Sequence, residues 1–126
     1  MLFRSKLIVS GGASLQSKEN FNNIIVNFAH QIHAAVGATR AAVEAGLISN
    51  EHQVGQTGKK VAPDVYLAVG ISGAVQHLSG MKNAKIVIAI NCDKNATIFE
   101  YSDYGIIGDL FNIMPKLSNI IKTSKT

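Results

Sequence analysis

Apolar positions along the chain follow two alternating rhythms. The first is a set of short apolar runs at residues 7–9, 65–71 and, within an expected strand over 85–91, Ile86-Val87-Ile88-Ala89-Ile90. These runs are bounded by turn formers and enriched in β-branched residues, which predicts buried strands of a parallel sheet. The second rhythm is helical. Phe21, Ile24, Ile25, Phe28 and Ile32 share one stripe at about 100° per residue. Ser17 is placed as their N-cap and Glu19 in the first turn, so a helix is expected to reach roughly residue 34. Residues 34–37 are short and apolar. Thr39 caps a second helix, which opens on Arg40 and runs through Glu44 to Gly46, and residues 74–78 look helical in turn. Residues 47–53 form a polar connection in which His52 is simply a loop residue. Residues 96–101 read as a short edge strand and 102–105 as a turn, with Ile106, Ile107, Leu110, Phe111 and Met114 on the inner face of a further helix. Pro115 is expected to end that helix and to start a short last one carrying Leu117, Ile120 and Ile121. Strands alternating with helices predict an α/β fold: a doubly wound, mainly parallel sheet with helices on both faces, Rossmann-like. A single domain is expected over 1–126, with its core over 7–121 and a frayed tail at 122–126.

The middle of the chain carries the most informative pattern. Val54-Gly55-Gln56-Thr57-Gly58-Lys59 is a glycine loop, the strand over 65–71 follows, and Ser72-Gly73 turns from that strand into the next helix. Ligands of open α/β sheets sit at the carboxyl edge of the strands, where loops diverge and backbone N–H groups are free. Glycines at 55 and 58 let bare backbone and the Thr57 hydroxyl approach a ligand closely. Together the two loops are expected to hold a flat, anionic cofactor. Asn91 ends its strand at the same edge, where it serves either as a turn former or as a ligand contact. Arg40, in the first turn of its helix, is either a surface residue or aimed at an electron-rich ligand.

Composition narrows the classes. Hydrophobic residues make up 47% of the 126 and charged residues 16%, which suits a buried sheet rather than a disordered or fibrous chain. The net charge of +4 comes from scattered basic residues, with only Lys59-Lys60 and the tail clustered and no aromatics interleaved. That pattern argues against a nucleic-acid groove. The single cysteine, Cys92, excludes an internal disulfide and a cysteine-rich zinc site, and no spacing gives it an activating base, so it reads as buried or idle. His30 and His33 fall opposite the apolar stripe, as a solvated face rather than a metal pair, and no metal site is expected. No apolar run reaches the roughly 18 residues of a membrane span. The strand at 7–9 leaves too little room for a complete secretory or transit peptide, so the chain is either cytoplasmic or part of something longer. Gly70-Ile71-Ser72-Gly73-Ala74 is not a G-x-S-x-G elbow, Gly55 to Lys59 is not a phosphate-binding P-loop, and no G-x-G-x-x-G follows the first strand. Pattern alone therefore ends at a cofactor-binding α/β domain without evident catalytic side chains.

Longer motifs extend this reading. Val36-Gly37-Ala38-Thr39-Arg40-Ala41-Ala42-Val43-Glu44-Ala45-Gly46, the glycine loop from Val54 to Lys59, Gly70-Ile71-Ser72-Gly73-Ala74-Val75-Gln76-His77-Leu78-Ser79-Gly80-Met81, Ile90-Asn91 and Asp103-Tyr104-Gly105-Ile106-Ile107-Gly108-Asp109-Leu110-Phe111 occur in order. This series resembles the C-terminal flavin domain of the electron transfer flavoprotein alpha subunit, from Ile8 to Ile121. The resemblance implies an FAD in an elongated pose, used as an electron relay by a carrier rather than by an enzyme with its own substrate. It also implies a heterodimer with the beta subunit, electron donors such as the acyl-CoA dehydrogenases of fatty acid beta-oxidation, and a quinone oxidoreductase as acceptor. Location would be the mitochondrial matrix in a eukaryote and the cytoplasm in a bacterium.

Carried over motif by motif, Arg40 lies over the isoalloxazine ring, where its fixed charge favours reduced, anionic flavin. Thr57 bonds near the N5 edge, with Val54, Gly55 and Gln56 shaping the loop. His77 sits by the pyrimidine O2, as a donor or cation. Ser72, Gly73, Ala74, Val75 and Gln76 line the flavin and ribityl chain. Thr39 keeps a phosphate-facing hydroxyl where the family commonly has serine, and Asn91, Asp109 and Leu110 hold the adenosine half.

Two departures stand out. The family's first glycine turn continues with an arginine that contacts the pyrophosphate, whereas here Ala13 follows Gly11-Gly12. Losing one charge-assisted contact costs about 1.5–3 kcal/mol, with Lys18 or Arg4 as candidate compensation. The family's N-terminal domain is also absent, so a fragment is expected rather than a stand-alone protein. Two other readings share the loops: a nucleotide- or nicotinamide-binding module of related topology, as in transhydrogenase or deoxyhypusine synthase relatives, and a flavin-less fragment that only binds a partner.

Overall fold

The structure, a computed structural model, describes residues 5–56 and 58–124. Five strands form one sheet: β1 (Leu7–Gly11), β2 (Ala35–Ala38), β3 (Val65–Val69), β4 (Ile86–Asn91) and β5 (Tyr104–Ile107). Their order is β2-β1-β3-β4-β5 and every neighbouring pair is parallel. The chain is a doubly wound α/β domain. Its winding direction reverses between β1 and β3, so the loops that leave these two strands part company and open a crevice at the carboxyl edge.

Strand alternation sorts the sheet residues onto two faces. Val9, Leu67, Val69 and Ile90 point to the first face, where they meet Phe21, Ile25 and Phe28 of the first helix and Leu110 and Met114 of the last. Helix α1 spans residues 18–31, α-helical at Lys18–Asn20, π-helical at Phe21–Val26 and α-helical again at Asn27–Gln31. Ser17 caps it, accepting from the Asn20 N–H at 3.0 Å. It ends at Gln31, earlier than its apolar stripe predicts, because His33 turns left-handed (φ 59°) and the Ala34 N–H reaches back to the Ala29 carbonyl at 2.8 Å. Those bonds satisfy the last carbonyls in the manner of a Schellman cap. Residues 35–38, which the sequence left unassigned, become the edge strand β2.

The second face carries Ile8, Tyr66, Ala68, Val87 and Ala89, packed against Met81 of α3 (Val75–Met81), Val54, Val61, Ala96 and Ile98. Helix α2 (Arg40–Glu44) has Thr39 as its N-cap, with the Ala42 N–H donating to Thr39 Oγ1 at 3.1 Å.

The last quarter of the chain corrects the expected elements. Residues Thr97–Tyr101 are a 3-10 turn rather than an edge strand, and Tyr104–Ile107 are strand rather than turn and helix start. Asp103 ties its own N–H to the Val87 carbonyl and its carboxylate to the Val87 N–H, both at 2.8 Å, and so commits the following residues to the sheet. Gly105 leaves room for the Phe99 ring, which a Cβ there would meet at 2.7 Å. Helix α4 (Leu110–Ser124) starts after Asp109, whose carboxylate accepts from the Phe111 N–H at 2.9 Å. Pro115 lies inside α4 and does not end it. The ring costs one backbone bond near the N-terminal end, while Met114, Leu117 and Ile121 keep the continuing helix packed against the first face.

Candidate functional site

A cleft of about 820 Å³ opens at the carboxyl edge of the sheet, within the size range of small-molecule and cofactor sites. Every strand except β5 sends residues to it. The turn after β1 brings Gly12, Ala13 and Ser14; the turn after β2 brings Thr39, Arg40, Ala41 and Glu44. Gln53, Val54, Gly55 and Gln56 form a third wall, and Gly70 to Ser72, Ala74, Gln76 and His77 form the wall after β3. Asn91, Asp93 and the segment from Asn95 to Thr97 close the side after β4.

Backbone shapes much of this surface. Gly70 turns left-handed at φ 63°, and a Cβ there would lie 2.3 Å from Ser14 Oγ; the Ser14 hydroxyl instead donates to the Gly70 carbonyl at 2.5 Å, closing the β1 turn onto the β3 turn. The glycine loop rests directly on α3. A Cβ at Gly80 would lie 2.3 Å from the Gly55 nitrogen, and the Gln56 N–H donates to the Gln76 carbonyl at 2.7 Å. Only side-chain-free positions allow such an approach.

Of the residues singled out in the sequence, Thr39, Arg40, Val54, Gly55, Gln56, Ser72, Ala74, Gln76, His77 and Asn91 share this one cleft. Gly73 and Val75 do not line it: Gly73, at φ 97°, backs onto Ile98, and Val75 is exposed away from it. Asp109 caps α4 and Leu110 is buried in the first-face core, so neither reaches the cleft surface. Thr57 and Arg4 lie outside the described residues. Lys18 is exposed on α1 and is not among the lining residues. Cys92, expected to be buried or idle, is exposed. His52 holds its connection against β2 through a bond between Nδ1 and the Val36 carbonyl at 3.0 Å.

The electrostatics are muted. Arg40 and Glu44, one helical turn apart, pair at 2.9 Å while both remain largely exposed, so part of the Arg40 charge is already answered. Asn91 bridges two walls: its amide donates to the Ile71 carbonyl and its oxygen accepts from the Asp93 N–H, both at 2.9 Å. His77 is buried. Its Nδ1 lies 3.0 Å from the Val54 carbonyl and its Nε2 2.7 Å from the Tyr66 hydroxyl. Burial lowers the His77 pKa to about 4, with the Val54 carbonyl pulling the other way, so the ring is neutral at pH 7. Burial also raises the Tyr66 hydroxyl well above the usual phenol range, and the nearby Ser10 hydroxyl offsets this in part.

The sequence reading missed Ser14, Gln53, Glu44 and the loop from Asp93 to Thr97. The rule that ligands gather at the carboxyl edge already pointed to the last of these, since the loop directly follows β4. Gln53 and Glu44 carried no comparable clue. Among the described residues there is no cluster of three metal-ligating side chains, and no helix is long and apolar enough to cross a membrane.

The residues present suit a dinucleotide with a flat ring system. Aliphatic Ala13, Val54, Ile71 and Ala74 offer an apolar bed, bare backbone at Gly55 and Gly70 allows close approach, and hydroxyls and amides stand along the rim. Comparison with known proteins points the same way. Residues 1–82 match the family model described as the electron transfer flavoprotein FAD-binding domain. The chain is 55% identical over 117 residues to an electron transfer flavoprotein subunit alpha of Bradyrhizobium diazoefficiens, covering 93% of this chain and 37% of that protein. It is 53% identical over 124 residues to the mitochondrial subunit alpha of Dictyostelium discoideum, covering 98% and 35%, and 51% identical over 113 residues to that of Arabidopsis thaliana, covering 90% and 31%. The chain thus spans about a third of the length of these relatives.

Proposed function

The chain belongs to the electron transfer flavoprotein FAD-binding domain family, and on that premise we propose that its cleft seats FAD and that it serves as the flavin domain of an alpha subunit. The observation that carries this reading is convergence. Residues of family motifs far apart in sequence, at Thr39-Arg40, Val54 to Gln56, Ser72, Ala74, Gln76, His77 and Asn91, meet around one cleft of cofactor size. Bound there, the flavin supplies reversible electron transfer.

This chain's residues hold and tune the group. Arg40 brings positive charge to the isoalloxazine ring, moderated by its pairing with Glu44. Val54, Gly55 and Gln56, with Thr57, shape the loop along the ring edge. His77 stands at the pyrimidine side as a neutral wall, since its ring nitrogens are engaged by Val54 and Tyr66. Ser72, Ala74 and Gln76 follow the flavin and ribityl chain, while Gly73 and Val75, which face away from the cleft, only shape the turn that presents them. Thr39 turns its hydroxyl hydrogen to the phosphates while its lone pair caps α2. Asn91, Asp109 and Leu110 support the adenosine half, the last two from behind the cleft surface. Without an arginine at Ala13, the phosphates depend on neutral donors.

Within a complete alpha subunit paired with a beta subunit, this domain relays electrons from acyl-CoA and other dehydrogenases to a quinone oxidoreductase. In eukaryotes the setting is the mitochondrial matrix, which accords with the mitochondrial names of the Dictyostelium and Arabidopsis relatives. In bacteria it is the cytoplasm. The test is a titration of FAD followed by flavin fluorescence. Saturable one-to-one binding is expected, weakened at least about tenfold by Gly55→Val, whose side chain would strike the Gln76 carbonyl. Absence of saturable binding, with the beta subunit present as well as absent, overturns the reading.

A further inference from the structure

The turn that leaves β3 is held by its oxygens. Three successive carbonyls, at Gly70, Ile71 and Ser72, are each claimed by a different segment of the chain. The Ser14 hydroxyl donates to the first at 2.5 Å, the Asn91 amide to the second and the Ile98 N–H to the third, both at 2.9 Å. In a trans peptide the N–H points opposite to the carbonyl. Holding these oxygens therefore also sets the directions of the Ile71, Ser72 and Gly73 N–H groups, which donate to none of the described residues.

The peptide between Gly70 and Ile71 depends on Ser14 alone. Among the described residues its carbonyl accepts from no other donor and its N–H has no acceptor. Gly70, at φ 63°, adds no side chain to resist a rotation. The turn after β1 meets the same oxygen with bare backbone, since a Cβ at Gly12 would lie 2.4 Å from it. Charge makes that oxygen matter. A dinucleotide at such a switch point lays its phosphates over the turn after β1. Ala13 offers no charge there, and Arg40, the one lysine or arginine among the described lining residues, already pairs with Glu44. Asp93 adds a negative charge to the rim. A bare carbonyl oxygen beside the phosphates would repel them, whereas one that already accepts a hydroxyl hydrogen repels them less.

We propose that Ser14 is a positioning and specificity residue of the cleft: its hydroxyl masks the Gly70 carbonyl and clasps the turn after β3 to the turn after β1, so that the crevice accepts the diphosphate of a dinucleotide. The clasp is a property of the chain alone, whereas its effect on FAD rests on the reading of the cleft as a flavin seat.

The test uses Ser14→Ala, which removes the hydroxyl, and Ser14→Thr, which keeps it. Ser14 is exposed and belongs to neither apolar cluster, so both variants are expected to fold. Each is titrated with FAD and with riboflavin, which carries the flavin without phosphates, and the beta subunit is present where the wild type needs it. FAD binding is expected to weaken about tenfold in Ser14→Ala and to return in Ser14→Thr, with riboflavin binding unchanged in both. The carbonyl carbon-13 resonance of Gly70 reads the clasp without flavin, and it is expected to move upfield in Ser14→Ala only. Equal losses for FAD and riboflavin overturn the proposal, as do an unchanged FAD affinity in Ser14→Ala and a threonine variant as weak as the alanine one. A Gly70 resonance that does not move in Ser14→Ala removes the clasp itself. If riboflavin binds none of the proteins, a loss of FAD affinity in Ser14→Ala at an unchanged unfolding midpoint supports the proposal, and a midpoint that falls with it overturns it. If the wild type binds neither ligand, the flavin reading fails while the Gly70 resonance still decides whether the clasp exists.

Discussion

The two faces of the sheet are filled in contrasting ways. On the first, Val9, Leu67, Val69 and Ile90 meet Phe21, Ile25, Phe28, Leu110 and Met114, with no buried polar side chain among the described residues of that cluster. On the second, the apolar packing around Tyr66, Met81 and Ile98 is threaded by the hydrogen-bonded Tyr66 hydroxyl and His77, which lead up to the Val54 carbonyl beside the cleft. Full burial of each large side chain on the dry face contributes about 1.5–3 kcal/mol and carries no directional information. A buried hydrogen-bonded chain contributes less net stability, yet it fixes which atom meets which. The first face holds the domain together, and the second orients one wall of its cleft.

The largest test of that contrast is Phe21→Ala. It opens a cavity on the dry face against Gly11 and Ile25, and a loss of about 3–5 kcal/mol is expected in denaturant unfolding. At concentrations where the variant remains folded, FAD affinity is expected to stay within a few-fold of wild type. A specific loss of affinity in folded protein would show that the division of labour is wrong.

Next in size is the pH dependence carried by His77. Its pKa is about 4 in the folded protein against 6.5 when unfolded. As pH falls below 6.5 the unfolded chain takes up the proton first. The stabilisation is therefore fully present above pH 6.5 and is lost progressively towards pH 4, by up to about 3 kcal/mol. Unfolding curves across this window should steepen with acid in the wild type and flatten in His77→Gln, and equal slopes would contradict a buried neutral ring. The smallest effect is expected at Arg40, which is largely exposed and paired with Glu44. Arg40→Ala should lower the potential of bound flavin and Glu44→Gln should raise it, each by on the order of 1 kcal/mol or less. An unchanged redox titration in both would remove Arg40 from flavin tuning.

Much of this architecture is legible in the sequence because local rules govern it. Ser17 and Thr39 cap their helices as their positions imply, and the strands Val65–Val69 and Ile86–Asn91 announce themselves by apolar, β-branched runs. Residues 97–107 misled for a physical reason. Ile106, Leu110 and Met114 recur four apart, as a helix stripe would, although Ile106 belongs to β5 and only the latter two to α4. The better clue was Gly108-Asp109, a breaker followed by an N-cap. The carboxyl-edge rule and the family motifs together pointed to the segments that carry Thr39, Val54, Ser72 and Asn91, which the fold brings to one cleft. What they could not supply is the link from Tyr66 through His77 to Val54. It joins residues 11 and 23 positions apart, and nothing in a strand tyrosine says where its hydroxyl will end.

The central claim is that one cleft at the carboxyl edge seats FAD. The most direct measurement is a backbone amide nitrogen–proton spectrum of the chain as FAD is added. The account predicts saturable shifts confined to Gly12–Ser14, Thr39–Arg40, Val54–Gln56, Gly70–His77 and Asn91–Thr97, with the amides of α1 and the far end of α4 unmoved. Shifts centred on the groove between α1 and α4, or none at saturating FAD, would contradict it.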